Sequence, residues 1–298
     1  MAVEKHRIFN YRVWIYLLFI VVALCFIVPM LYVVTASITS EDDIYRFGYK
    51  MLPRQISTAA YSLIFKNPKQ IGDAYLVTIF ETAVGTFGGV LIMTLCAYPL
   101  SVPNFKLKRP VMFFIFFTML FSGGLIPSYI LNTQYLHIGS TIWIYIFPSL
   151  AAAYYIIIFR TFFQGLPAEL RESAKLDGAS EMIVYLRIIL PLSKPVLATI
   201  ALLVVLDRWN DFFTSLVYIR KPELYTLQFL LQRILMQAQF VRDMAREFPQ
   251  FFKASAMKLP VEGIRFAMVV VAAGPMLVVF PFFQKYFVRG LTIGALKG

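Results

Sequence analysis

Charged residues disappear from this chain for long intervals, and those intervals set its architecture. None occurs from Val13 to Ser40, a stretch long enough at about 1.5 Å per residue to cross a hydrocarbon layer about 30 Å thick. A second apolar run, Ala74 to Leu100, holds a single charge, Glu81. Between Pro110 and Phe159 there is no Asp, Glu, Lys or Arg. That interval is too long for one helix, and the polar break Asn132–Ser140 divides it into a hairpin of two spans, Val111–Leu131 and Thr141–Phe159. A fifth span is expected over Pro195–Ile219, interrupted by the polar Asp207–Asp211. A sixth covers Phe266–Phe283, with a kink expected at Gly274-Pro275. The pattern predicts an all-α polytopic membrane protein with six transmembrane helices.

The first span follows Lys5, Arg7 and Arg12, as a secretory signal does, and Val34-Thr35-Ala36 has the small residues of a cleavage site. Its apolar region exceeds the roughly 7–15 residues of a signal core, so it is read as a retained helix. The organisation expected is an amino-terminal part, residues 1–72, with cytoplasmic segment, first span and outer loop. A transmembrane domain, residues 73–298, contains the loop 160–195. Within the long loop before the last span, Leu227, Leu230, Leu231, Ile234, Leu235, Ala238 and Val241 recur at helical spacing. They predict a helix on the outer face, which either caps the span ends or offers a docking surface.

Composition agrees with the pattern. Of 298 residues, 59% are hydrophobic and 15% charged, and the mean hydropathy is +0.72; a soluble domain carries about a quarter of its residues as charges. Two cysteines, Cys25 and Cys96, and two histidines, His6 and His137, are too few for a disulfide framework or a zinc-type cluster. No His/Cys/acid constellation has catalytic spacing. The net charge of +12 is that of a membrane protein whose Lys and Arg hold loops in place, since no nucleic-acid motif accompanies it. The short loop Ser101–Pro110 carries three basic residues and Asn132–Ser140 none. Short loops set orientation, so both termini and the 160–195 loop are expected in the cytoplasm and the other loops outside.

The 160–195 loop is not a plain connector. Pro167 suits a first helical turn, with Glu169 and Glu172 near its positive end. Leu166, Leu170 and Ala174 give one apolar edge. Gly178 follows Asp177 where a left-handed C-cap belongs, and Ser180 can cap a second helix that Pro191 ends. A helix–glycine–helix unit this short needs something to pack against.

Glu172-Ser173-Ala174, three residues, Gly178, nine residues, Ile188, one residue and Leu190-Pro191 resemble the EAA signature. It marks the membrane subunits of ATP-binding-cassette importers. Together with the tail PFFQKYFVRGLTIGALKG, the likeness to the carbohydrate-importing, maltose-type branch runs from about Asp73 to Gly298. Ser173 stands where the signature has its first Ala, a small-for-small exchange. The resemblance implies a coupling helix that seats in an ATPase subunit, with Glu169, Glu172, Ser173, Ala174, Asp177 and Gly178 at the contact. It implies a second, homologous permease subunit, two ATPase subunits, an extracytoplasmic sugar-binding protein and a prokaryotic cytoplasmic (inner) membrane. The chain has no Gly-Lys dipeptide and hence no phosphate-binding G-x-x-x-x-G-K-[ST] loop. ATP and Mg are therefore expected on the partner ATPases, and no cofactor or catalytic residue in this chain.

Charges within spans are costly and should face a wet cavity or one another. Arg208 and Asp211, three apart, are expected to pair. Trp209 and Asn210 beside them offer a ring face and hydrogen-bonding groups suited to a sugar. Asp207, Arg208, Trp209, Asn210, Asp211 and Glu81 are thus candidates for the translocation path, with an internal ionic brace as the equal alternative. Ser122-Gly123-Gly124 and Gly85, Gly88 and Gly89 are expected to mark close helix packing. The function expected is import of a carbohydrate, an oligosaccharide. The outer loops' thirteen basic against eight acidic residues favour an acidic, uronate-type one. An ion-coupled carrier using Asp207, Asp211 and Glu81 is the alternative; it leaves the 160–195 loop unexplained.

Overall fold

The computed structural model describes the backbone of residues 2–251 and 259–295, and the side chains of residues 11, 13–251 and 259–281. Lys253 and Lys258 lie outside the described residues, as do the side chains of Lys5, His6, Arg7, Arg12 and of the carboxyl-terminal tail from Phe282. The chain forms two compact units, residues 1–68 with 231–275 and residues 69–230 with 276–298. Both are helical, and the described residues contain one isolated antiparallel bridge, Thr39 with Ile56.

Three helices are long and apolar enough to cross a membrane unbroken: Val13–Ser37, Pro68–Ser101 and Val261–Pro281. The last belongs to a helix Val261–Ala295 that continues through Gly274-Pro275 without interruption. Three further pairs qualify only as bent spans. The sequence pattern misses the bends inside the third and fourth spans because it reports apolarity, not continuity; the third bend falls beside the expected stop at Pro191.

The expected span Val111–Leu131 is broken. A helix Lys108–Leu120 gives way at Phe121–Gly124 to Leu125–Tyr135, turned by 112°. Gly124 adopts φ +83° with open space around it, a conformation favoured by glycine. Ser122-Gly123-Gly124 is therefore a hinge in the chain and not a close-packing site. The expected span Thr141–Phe159 is likewise a pair, Ile142–Ser149 and Ala153–Gln164, bent by 48°. Gly88 and Gly89 do mark a close approach: a Cβ on either would stand 3.2 Å from an atom of Leu150. In the fifth region Lys194–Trp209 ends at the polar segment and Phe213–Tyr218 resumes after it. Glu181–Leu192 precedes it at a 79° bend.

The second unit is centred on Met93, Ala97, Leu100, Phe159, Phe163, Val184, Tyr185 and Ile200, all buried. Lipid tails are as apolar as these side chains, so such packing rests on shape and interhelical hydrogen bonds more than on expulsion of water. Thr94 Oγ1 and Tyr185 Oη lie 2.9 Å apart, tying Pro68–Ser101 to the segment after Gly178. In the first unit Glu41 organises the loop: its carboxylate accepts from the Glu262 and Gly263 N–H groups at 3.2 and 3.3 Å. It also faces Arg242 Nη1 at 3.5 Å, and Arg242 donates to Tyr45 Oη at 2.7 Å. An acid at the start of the Val261 helix complements its positive end.

The helix expected in the long loop before the last span is present as Leu227–Glu247. Leu227, Leu230, Leu231, Leu235 and Ala245 are buried, while Met236 and Phe240 are exposed.

Candidate functional site

Two places carry the candidate chemistry. The first is the helix–glycine–helix unit. Pro167 occupies the N-cap of Ala168–Leu176, one position earlier than expected. The chain reverses with Gly178 at φ +80°, and the Ala179 N–H donates to Ala174 O at 2.9 Å while Gly178 N–H reaches Lys175 O. This is the hydrogen-bond pattern of a Schellman-type C-cap. Ser180 caps the next helix by accepting from Ile183 N–H. That helix does not stop before Pro191, as expected; it passes through a π-helical turn, Tyr185–Ile189, and ends at Leu192. Pro191 is tolerated because it opens a new helical segment, where its missing N–H is not needed.

The apolar edge of this unit is divided. Leu166 and Ala174 pack against the buried cluster of the second unit, so part of the edge already has its partner within the chain. Leu170 is 43% and Leu176 89% exposed. Glu169, Glu172, Ser173, Asp177 and Gly178 are exposed beside them. Leu176 was not among the sequence candidates, because its place next to Asp177 hides it from the four-residue repeat.

The second place is the end of the Lys194–Trp209 helix. The expected Arg208–Asp211 pair does not form. Arg208, 5% exposed, sends Nη1 to Tyr145 O and Nη2 to Ser149 O, both at 2.9 Å. These carbonyls belong to the bent fourth span, where the break releases acceptors that lipid cannot satisfy. The guanidinium lies against Gly85, so close that any side-chain carbon there would collide with it. Glu81, one turn earlier on the same helix, is 1% exposed, and its Oε2 has no hydrogen-bond partner. Thr82 and Thr86 Oγ1 beside it are also buried and unpartnered.

Asp211 has a different task. Its Oδ1 accepts from Thr214 N–H at 3.0 Å and opens the Phe213–Tyr218 helix. Its carbonyl accepts from Thr226 Oγ1 at 2.8 Å, and Thr226, Ser215 and Tyr145 continue a buried hydroxyl network. Trp209 is 5% exposed and therefore part of the packed interior. Asp207 and Asn210 are exposed; Asp207 Oδ2 accepts from Tyr155 Oη at 3.3 Å and Asn210 Oδ1 from Gln228 Nε2 at 3.2 Å. The six candidates thus separate into a buried set, Glu81, Arg208 and Trp209, an accessible pair, Asp207 and Asn210, and a helix-starting acid. Sequence reasoning missed Tyr145 and the role of Gly85. The i, i+4 spacing of Glu81 and Gly85 was the available signal.

The described helices are those of a polytopic membrane protein whose candidate spans are bent and joined by a structured helical turn. Residues 79–293 match the family described as binding-protein-dependent transport system inner membrane component, and the chain belongs to it. It is 33% identical to the polygalacturonan/rhamnogalacturonan transport system permease protein YtcP of Bacillus subtilis, over 99% of this chain and 100% of that one. It is 37% identical to protein LplC of the same organism, over 91% and 90%. A bacterial ABC transporter involved in import of the acidic polysaccharide alginate superposes with a TM-score of 0.74 at 30% identity, covering 94% of this chain and 97% of that one. The protein is a multi-pass, non-catalytic permease component of an ATP-driven carbohydrate importer.

Proposed function

We propose that this permease carries an acidic, uronate-type oligosaccharide, pairing with a second, similar permease subunit. The observation that carries the substrate reading is the full-length likeness to two systems whose names specify polygalacturonan/rhamnogalacturonan and alginate. Polygalacturonan and alginate are polymers of uronic acids. The basic excess of the outer loops suits such a substrate, because a positive rim raises the local concentration of an anion. An extracytoplasmic binding protein delivers the sugar, and both termini and Gly178 face the cytoplasm. The exposed carboxylates Glu169, Glu172 and Asp177, with Leu170 and Leu176, are the surface offered to an ATPase subunit, which binds the ATP and Mg. Asp207 and Asn210 are the residues of the polar segment that meet the substrate, while Arg208 and Glu81 brace the bundle.

Competition in the assembled transporter tests the substrate. Uptake of a labelled oligogalacturonate in proteoliposomes should be suppressed by unlabelled uronate oligomers and not by neutral oligomers of equal length. Equal competition by the neutral sugar would overturn the acidic assignment and leave the importer class intact.

A further inference from the structure

Tyr98, near the end of the Pro68–Ser101 helix, is where that helix meets both arms of the helix–glycine–helix unit. It is 7% exposed, and its Oη donates to Glu181 Oε2 at 2.6 Å. One turn earlier, Thr94 Oγ1 lies 2.9 Å from Tyr185 Oη. Residues 94 and 98 share one face of their helix, as 181 and 185 share one face of theirs, so the two bonds are successive rungs between the same pair of segments. The Tyr98 and Tyr185 rings are themselves in contact, with centroids 5.3 Å apart. The first helix of the unit reaches the same point. Lys175 Nζ meets Glu181 Oε1 across the Gly178 turn, and the Arg171 guanidinium stands 5.7 Å from the centre of the Tyr98 ring.

The two rungs differ in kind. At Tyr185 the buried cluster closes around the contact. At Tyr98 a pocket of about 520 Å³ opens beside it, lined by Leu95, Tyr98 and Pro99 of the span and by Lys175, Glu181 and Met182 of the unit. Packing is therefore incomplete at this end, and the Tyr98–Glu181 bond holds what apolar contact does not. Glu181 is half-exposed, so its ion pair with Lys175 contributes little by itself. Its bond from Tyr98 has a buried donor and a charged acceptor, the stronger class of hydrogen bond. From Tyr98 the helix runs back to Gly85 without interruption, roughly 20 Å at 1.5 Å per residue. Gly85 is the point at which Arg208 lies against it, beside Asp207 and Asn210. A rigid helix so placed carries a displacement at Tyr98 to the polar segment.

We propose that Glu181 is a positioning residue for transport: by holding Tyr98 it makes the Pro68–Ser101 helix, and with it the polar segment 207–211, follow the helix–glycine–helix unit. The assignment rests on the reading that the exposed face around Glu172 seats on an ATPase subunit, and it names the residue through which that contact reaches the span.

Tyr98→Phe is the discriminating variant. It removes the hydroxyl and keeps the ring, and Glu181 is exposed enough for water to replace the lost donor, so no buried group is orphaned. The Thr94–Tyr185 bond remains. ATP hydrolysis and uptake of a labelled oligogalacturonate are measured together in proteoliposomes of the assembled transporter with its binding protein. Tyr98→Phe should keep its ATPase subunits and its thermal midpoint, yet hydrolyse about tenfold more ATP per oligomer imported, the scale of one lost hydrogen bond to a charged group. Glu181→Gln, whose amide oxygen still accepts from Tyr98, should lie nearer to wild type. A wild-type ratio in Tyr98→Phe overturns the proposal, as does a Glu181→Gln ratio no better than that of Tyr98→Phe. So does a lowered midpoint with hydrolysis and uptake falling in proportion, which would make Tyr98 a packing residue only. The docking reading is judged on a different variant: Glu172→Lys that keeps its ATPase subunits refutes docking, whereas the ratio in Tyr98→Phe judges the coupling.

Discussion

Arg208 shows how one side chain can serve a break in another helix. Its two hydrogen bonds go to carbonyls at Tyr145 and Ser149, and the flat guanidinium fits against Gly85 because that position has no side chain. A lysine has one point charge and no planar fork, so Arg208→Lys should lose about 1.5–3 kcal/mol for a charged hydrogen bond left unmade. Gly85→Ala should be similarly harmful in wild type but nearly neutral in an Arg208→Ala background, since its collision partner is then gone. Thermal unfolding of the detergent-purified complex reads both; additive losses in the double variant would refute the contact. At Trp209, truncation to alanine removes a buried ring and should cost about 3–5 kcal/mol of stability. Asn210→Ala, at an exposed position, should lower uptake while the complex still assembles.

At the scale of the element, the helix–glycine–helix unit depends on a left-handed residue. Gly178 holds φ +80°, which proline cannot adopt, so Gly178→Pro must rebuild the turn. Glu172→Lys leaves the fold alone but reverses charge on the exposed face, and repulsion should replace attraction at an ATPase contact. Both should reduce co-purified ATPase and uptake together while the permease still reaches the membrane. Retention of the ATPase and normal uptake in both variants would remove this surface from the docking site. Ser180→Ala, removing the cap on Ile183 N–H, should cost about 0.5–2 kcal/mol locally, seen as faster hydrogen exchange over Glu181–Val184.

For the whole molecule the orientation proposal is directly testable. Cys25 and Cys96 are both free and exposed, so they must be replaced before single cysteines are placed at 178 and 54. In intact cells an impermeant thiol reagent should label 54, an exposed position, and not 178; the opposite result reverses the topology. The missing phosphate-binding loop gives a second expectation: the isolated chain should not hydrolyse ATP, and hydrolysis should appear only with its ATPase partners.

Much of this protein is written in its pattern of charge and apolarity. The charge-poor intervals located the three unbroken helices long and apolar enough to cross a membrane, because burying a charge in lipid is costly enough to leave gaps in the sequence. The cap at Gly178 and the start at Ser180 were equally legible, since both are local backbone requirements met by particular residue types. Tertiary structure decided what those local rules leave open. Whether Ser122–Gly124 packs or bends depends on the neighbours available to it, and open space around Gly124 made it a hinge. Arg208 had an acid three residues away and took two carbonyls instead, because a break in a distant span left acceptors that only a buried donor could satisfy.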